Sequence, residues 1–159
     1  GGLNDYLAEK LGLSDTEILV PTGVCGDKKV GYGRYAELKE PKRFGDILKE
    51  TAKKLNTKNL RYSGSFDTVI KKIAVNSGGG ASMAEFCFDN DIDLYITGDF
   101  KYSSMRDCAD KNLCVIDAGH YETEIIVCEW FQKKIKEKFD ITVLKSENNK
   151  NVIKFLKYE

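Results

Sequence analysis

The 159 residues carry 25 Lys plus Arg against 25 Asp plus Glu, a formal net charge of zero at pH 7 that supplies no uniform field for phosphate backbones, so sequence-independent nucleic-acid binding is not expected. Hydrophobic residues at 42%, charged residues at 31% and only two prolines describe a soluble globular domain and exclude a disordered or fibrous chain. No apolar run approaches the roughly 20 residues that span a bilayer, and Gly1-Gly2-Leu3-Asn4-Asp5 lacks the basic-then-apolar pattern of a secretion signal, so a cytoplasmic protein with no membrane partner is expected.

Residues 1–68 read as a connecting region of helix, hairpin and helix. Leu3, Tyr6, Leu7 and Leu11 fall on one helical stripe that Gly12 ends. Glu17 to Thr22 and Lys29 to Leu38 are β-like runs, expected to pair as an antiparallel hairpin across Gly23 to Lys28. Phe44, Ile47, Leu48, Ala52 and Leu55 then repeat at helical spacing behind Pro41.

Residues 69–159 read as an α/β half-domain. Strand-like runs at Val69 to Asn76, Asp93 to Thr97 and Leu113 to Asp117 alternate with helical stretches at Ala81 to Asp89, Tyr102 to Lys111 and Thr123 to Phe139. Such alternation implies parallel pairing through crossovers, hence a mixed, largely parallel sheet with flanking helices in three α/β/α layers. Ile141 to Ser146 and Asn151 to Tyr158 read as a terminal hairpin joined by Glu147-Asn148-Asn149-Lys150. The five cysteines, Cys25, Cys87, Cys108, Cys114 and Cys128, are odd in number and never spaced Cys-x-x-Cys, so buried thiols are expected and neither a disulfide framework nor a zinc knuckle.

In an open parallel sheet, ligands bind beyond the carboxyl ends of the strands. Three segments stand there: Asn76 to Gly80, Thr97-Gly98-Asp99, and Asp117 to Glu124. The glycines Gly78 to Gly80 let backbone amides approach an anion, or make a plain tight turn; they fit neither common nucleotide-loop pattern. His120 is the only histidine, and Glu124 follows at i+4, where both side chains leave one helical face and can share a metal ion. Asp117 is placed to orient a ring nitrogen of His120. The alternative is that Asp117 or Thr123 caps the helix and His120 packs beneath it. Either way the chain offers one imidazole, whereas a metal site takes three or four protein donors, so any site here is incomplete.

Three segments in order, Ile73-Ala74-Val75-Asn76-Ser77-Gly78-Gly79-Gly80-Ala81-Ser82, Asp93-Leu94-Tyr95-Ile96-Thr97-Gly98-Asp99-Phe100-Lys101-Tyr102 and Asp117-Ala118-Gly119-His120-Tyr121-Glu122-Thr123-Glu124, resemble the family of NGG-one interacting factor three. Its bacterial members are called GTP cyclohydrolase 1 type 2 homologues. Gly1 to Ala8 and Gly31 to Leu38 match it as well, so the resemblance covers nearly the whole chain. It implies two intertwined halves, a dinuclear metal centre and a toroidal homohexamer. The His-x-x-x-Glu motif implies His120 and Glu124 as ligands, with Asp99, Gly78, Gly80 and Asp117 as candidates to line the site.

The family's remaining ligands precede the Gly-Gly-Leu-Asn-Asp segment, so the resemblance implies a C-terminal portion that holds two divalent ions, zinc, iron or manganese, only in part. Two positions depart from the pattern. Asn76-Ser77 stands where many members have Cys-Gly, and Ser103 stands where a histidine often follows Lys-Tyr, which removes a proton donor. Lys101 and Tyr102 remain available to an anionic substrate. The implied function is a metal-dependent hydrolase of a nucleotide-like small molecule, with this portion inactive alone. The alternative is a metal-binding hexameric assembly or regulatory protein without turnover.

Overall fold

The computed structural model describes residues 1–156. Helix α1 (Leu3–Leu11) starts where the Asp5 carboxylate accepts the Gly2 N–H at 2.6 Å, and it stops at Gly12, whose φ of +84° only glycine adopts without strain. Strands β1 (Glu17–Cys25) and β2 (Lys28–Arg43) pair as the expected antiparallel hairpin. Its turn is narrower than Gly23 to Lys28, because pairing continues past a bulge between Pro21 and Gly23 to Cys25 opposite Lys28. Helix α2 (Phe44–Lys54) follows, burying Phe44 and Ile47.

After β3 (Arg61–Ser63) and β4 (Val69–Gly79), the stretch read as one helix is a 3₁₀ turn at Ala81–Met83 leading into the short α3 (Ala84–Asp89). Then come β5 (Leu94–Gly98), α4 (Tyr102–Asp110) and β6 (Cys114–Asp117). The last expected helix is two: α5 (His120–Glu124) begins ahead of Thr123, and α6 (Val127–Lys136) ends before Phe139.

The six strands form one mixed sheet in the order β1-β2-β4-β5-β6-β3. It is not largely parallel: only β4–β5 and β5–β6 run parallel, while β1–β2, β2–β4 and β3–β6 are antiparallel. Crossover helices impose parallel pairing only on the last three strands; the hairpin and β3 arrive without one. Alternation along these strands divides the core between two faces. Ile73, Val75, Leu94, Ile96 and Ile116 point to α1 and α2, and Ala74, Tyr95 and Val115 point to Cys87 of α3 and Cys108 of α4. Helices on both faces make the expected three layers.

The terminal hairpin does not form. Residues 140–156 contain no strand, and the end of its second arm lies outside the described residues. Leu144 and Leu156 are almost fully exposed, so a hairpin there would have no buried face to offset the entropy of ordering it. The segment is tied to the body by side chains instead: Tyr121 donates to the Asn149 carbonyl at 2.6 Å, Asn151 donates to the Glu122 carboxylate at 2.9 Å, and Gln132 donates to the Val143 carbonyl at 2.9 Å.

Candidate metal centre

Because β4, β5 and β6 are parallel, their carboxyl ends lie on one side of the sheet, and the three loops expected there meet. Gly78 takes φ +68°. Its N–H donates to Thr123 Oγ1 at 2.8 Å, and that hydroxyl lies 2.9 Å from the Gly119 carbonyl, to which it donates. The Gly78 carbonyl accepts the Thr97 hydroxyl at 3.1 Å. Fully buried Thr123 thus stitches the end of β4 to the first turn of α5, and it caps nothing; no side chain caps α5. The Ser77 N–H is likewise taken, by Asn4 Oδ1 at 2.7 Å. With these two amides engaged, the entry of the glycine turn is not open to an anion.

What the glycines provide is room. A Cβ on Gly78 would overlap the Glu124 carboxylate and stand 3.2 Å from His120 Nε2, and one on Gly79 would stand 3.3 Å from Asp99 Oδ2. At Gly98 a Cβ would lie 2.6 Å from the His120 amide nitrogen. Gly80 has a different role: its carbonyl accepts the Tyr95 hydroxyl at 2.9 Å, and a Cβ there would meet Tyr95, Thr97 and Asn76 rather than the imidazole.

His120 Nδ1 lies 2.6 Å from Asp99 Oδ2, and Nε2 lies 3.1 Å from Glu124 Oε2. All three side chains are about half exposed, at 46%, 57% and 48% for His120, Asp99 and Glu124, so His120 does not pack beneath the helix. The Asp99 hydrogen bond, opposed by partial burial and helped by the Glu124 charge, raises the imidazole pKa above its ordinary value.

Asp117 does not orient the imidazole. Its carboxylate, only 4% exposed, pairs with Arg61 and accepts the N–H groups of Phe100 and Gly119, each at 3.1 Å. Arg61 also donates to the Phe100 carbonyl at 2.7 Å. One buried carboxylate therefore ties the loop after β5 to the loop after β6. Sequence reading missed Arg61, since a three-residue strand in a polar stretch carries no periodicity to mark it. Arg61, Asp99, His120 and Asn151 share a cavity of about 290 Å³ that Ile153 and Phe155 also line.

Neutral imidazole with its Nδ1–H on a carboxylate turns the Nε2 lone pair outward, and Glu124 supplies an oxygen beside it, which fits two donors of a divalent-cation site. Asp99 stands on the opposite ring nitrogen and adds no third donor. Among the described residues no group of three or more His, Cys, Asp or Glu is placed to hold a metal.

Residues 1–152 match the family model described as Duf34/NIF3 (NGG1p interacting factor 3). The chain belongs to the Duf34/NIF3 family. Curated Duf34/NIF3 relatives include the GTP cyclohydrolase 1 type 2 homologue of Clostridium perfringens, 36% identical over 143 residues, covering 90% of this chain and 54% of that protein. The homologue of Clostridium acetobutylicum is 31% identical over 159 residues, covering 97% and 59%. The chain thus spans a little over half the length of these relatives. Among solved structures, the Bacillus cereus protein related to NIF3 has a TM-score of 0.82 at 19% identity, covering 98% of this chain and 70% of that one. Staphylococcus aureus SA1388 reaches 0.84 at 20%, covering 98% and 65%. At such identities these two establish the Duf34/NIF3 fold alone.

Proposed function

We propose that this chain supplies part of a divalent-metal centre, with His120 Nε2 and Glu124 as ligands, in a metal-dependent hydrolase acting on a nucleotide-like small molecule. The observation that carries it is the convergence of the only imidazole with a carboxylate at 3.1 Å over a glycine that leaves space for both. The names of the curated relatives, GTP cyclohydrolase 1 type 2 homologues, favour a guanine nucleotide as the substrate class.

Bound divalent cations, zinc, iron or manganese, supply Lewis acidity. The chain's own residues do the rest. Asp99 keeps the proton of His120 on Nδ1, Gly78 leaves the ligand heads unobstructed, and Asn151, Ile153 and Phe155 line the cavity beside them. Two protein donors hold a divalent ion weakly, so the remaining ligands come from the part of the relatives' length that this chain does not span, and a homohexamer is the assembly we expect of the whole.

A second reading, a metal-binding assembly or regulatory protein without turnover, is favoured by the apolar surface at both sheet edges: Val24 and Tyr32 on the hairpin, and the stacked, exposed Tyr62 and Phe66 beside β3. Elemental analysis after anaerobic purification, on a form extended to the full length of the relatives and on the same form carrying His120→Ala, tests the ligand assignment. Metal retained equally by both removes it. With metal loaded, turnover of a guanine-nucleotide panel that is lost on His120→Ala supports the hydrolase, and metal-linked self-association without turnover supports the second reading.

A further inference from the structure

Asp99 sits in the left-handed region at φ +60°, a conformation that Asp and Asn adopt as single residues and that Asp15, Asn56, Asp91 and Asn112 share in this chain. Its one polar contact among the described side chains is to His120, and both partners are about half exposed. An ion pair that open to water contributes little stability. Asp99 is therefore held beside His120 by something other than the strength of that contact.

The holding is visible next door. Phe100 is buried against Tyr95, its N–H is bound by Asp117 and its carbonyl by Arg61, so the residue after Asp99 cannot shift. Asp117 also binds the N–H of Gly119, the residue before His120. The same buried carboxylate thus fixes the backbone on the near side of both partners and sets Oδ2 of Asp99 at 2.6 Å from Nδ1.

We infer that Asp99 is a positioning residue: braced through Phe100 by the Asp117–Arg61 pair, it holds the His120 proton on Nδ1 and leaves the Nε2 lone pair to a cation shared with Glu124, 3.1 Å away. This rests on the metal reading above for its consequence, but not for its geometry. No covalent step is involved; only the placement of one proton between two ring nitrogens is at issue. A carboxylate behind a ligating imidazole fixes its tautomer and orientation, and losing such a partner typically lowers metal affinity about 10–100-fold.

His120 is the only histidine, so ¹⁵N labelling of histidine reports one imidazole with no assignment needed. The metal-free chain is measured at alkaline pH, where the ring is neutral, beside Asp99→Gly, which keeps the positive φ without strain, and Asp99→Ala, which does not. We expect the Nδ1–H form in the unsubstituted chain and the Nε2–H form, the preferred one for a free side chain in water, in both variants. Zinc affinity by competition with a chromogenic chelator should fall about 10–100-fold in both. An Nε2–H imidazole in the unsubstituted chain, or a tautomer unmoved by both substitutions, overturns the inference even if zinc binds. If the tautomer moves but zinc affinity is the same in the unsubstituted chain, in both variants and in the His120→Ala chain, the positioning by Asp99 stands and the metal reading falls.

Discussion

Gly78 on β4 and His120 on α5 approach so closely that a single methyl-sized atom on Gly78 would stand 3.2 Å from His120 Nε2 and collide with the Glu124 carboxylate beside it. The position carries a double constraint, because its φ of +68° is itself left-handed. Gly78→Ala should therefore destabilise the chain by about 1–2 kcal/mol from the backbone alone and displace both ligand heads. Urea unfolding reads the first effect, and zinc affinity reads the second. A variant with native stability and native affinity would show that the turn has slack the geometry denies.

The Asp117 carboxylate is a junction of three donors. Asp117→Ala strands the N–H groups of Phe100 and Gly119 and leaves Arg61 without its carboxylate. Each buried donor left unpaired costs about 1–3 kcal/mol, so we expect a loss of about 2–5 kcal/mol in urea unfolding. Arg61→Gln should cost less, because the guanidinium is more than half exposed and both backbone N–H bonds to Asp117 survive it. Equal losses from the two variants would contradict this ordering.

Glu129 on α6 accepts from Lys10 of α1 at 2.7 Å, and that hydrogen bond, partly opposed by burial, holds its carboxyl below the ordinary value of 4.5. A depressed folded pKa means the contribution is fully present above the unfolded value and is lost as pH falls through the folded one. Acidification from about pH 7 to about pH 4 should thus weaken the α1–α6 contact. Glu129→Gln should lose less stability over that interval than the unsubstituted chain, by urea unfolding at the two pH values. Parallel losses would place the acid sensitivity elsewhere.

Thiol reactivity should sort by burial. Cys25 at the hairpin tip is exposed, Cys128 is half-buried, and Cys87, Cys108 and Cys114 are buried with pKa values pushed up by desolvation. Since the thiolate is the nucleophile, iodoacetamide should label Cys25 first and Cys128 more slowly, leaving the other three unlabelled until the chain unfolds. Peptide mass mapping over time reads this order directly, and Cys25→Ser should abolish the fast phase.

The residues dictate by themselves whatever depends on short-range spacing. Alternation at Leu94, Tyr95 and Ile96 makes a strand with two buried faces, the stripe of Leu3, Leu7 and Leu11 makes a helix, and the i, i+4 interval brings His120 and Glu124 onto one face. Strand–helix alternation also foretold that the loops after β4, β5 and β6 would share one end of the sheet. What tertiary structure decided is which side chain each loop aims at which partner. Sequence favoured Asp117 behind the imidazole, three residues away, yet Asp99 from another loop stands there. Asp117 is occupied instead with Arg61 of β3, a strand too short to show a pattern. The edge strand β3 and the unpaired tail escaped for a related reason. Periodicity is a property of adjacent residues, whereas register, strand direction and the aim of a strand-end side chain follow from pairing with segments far away in the chain.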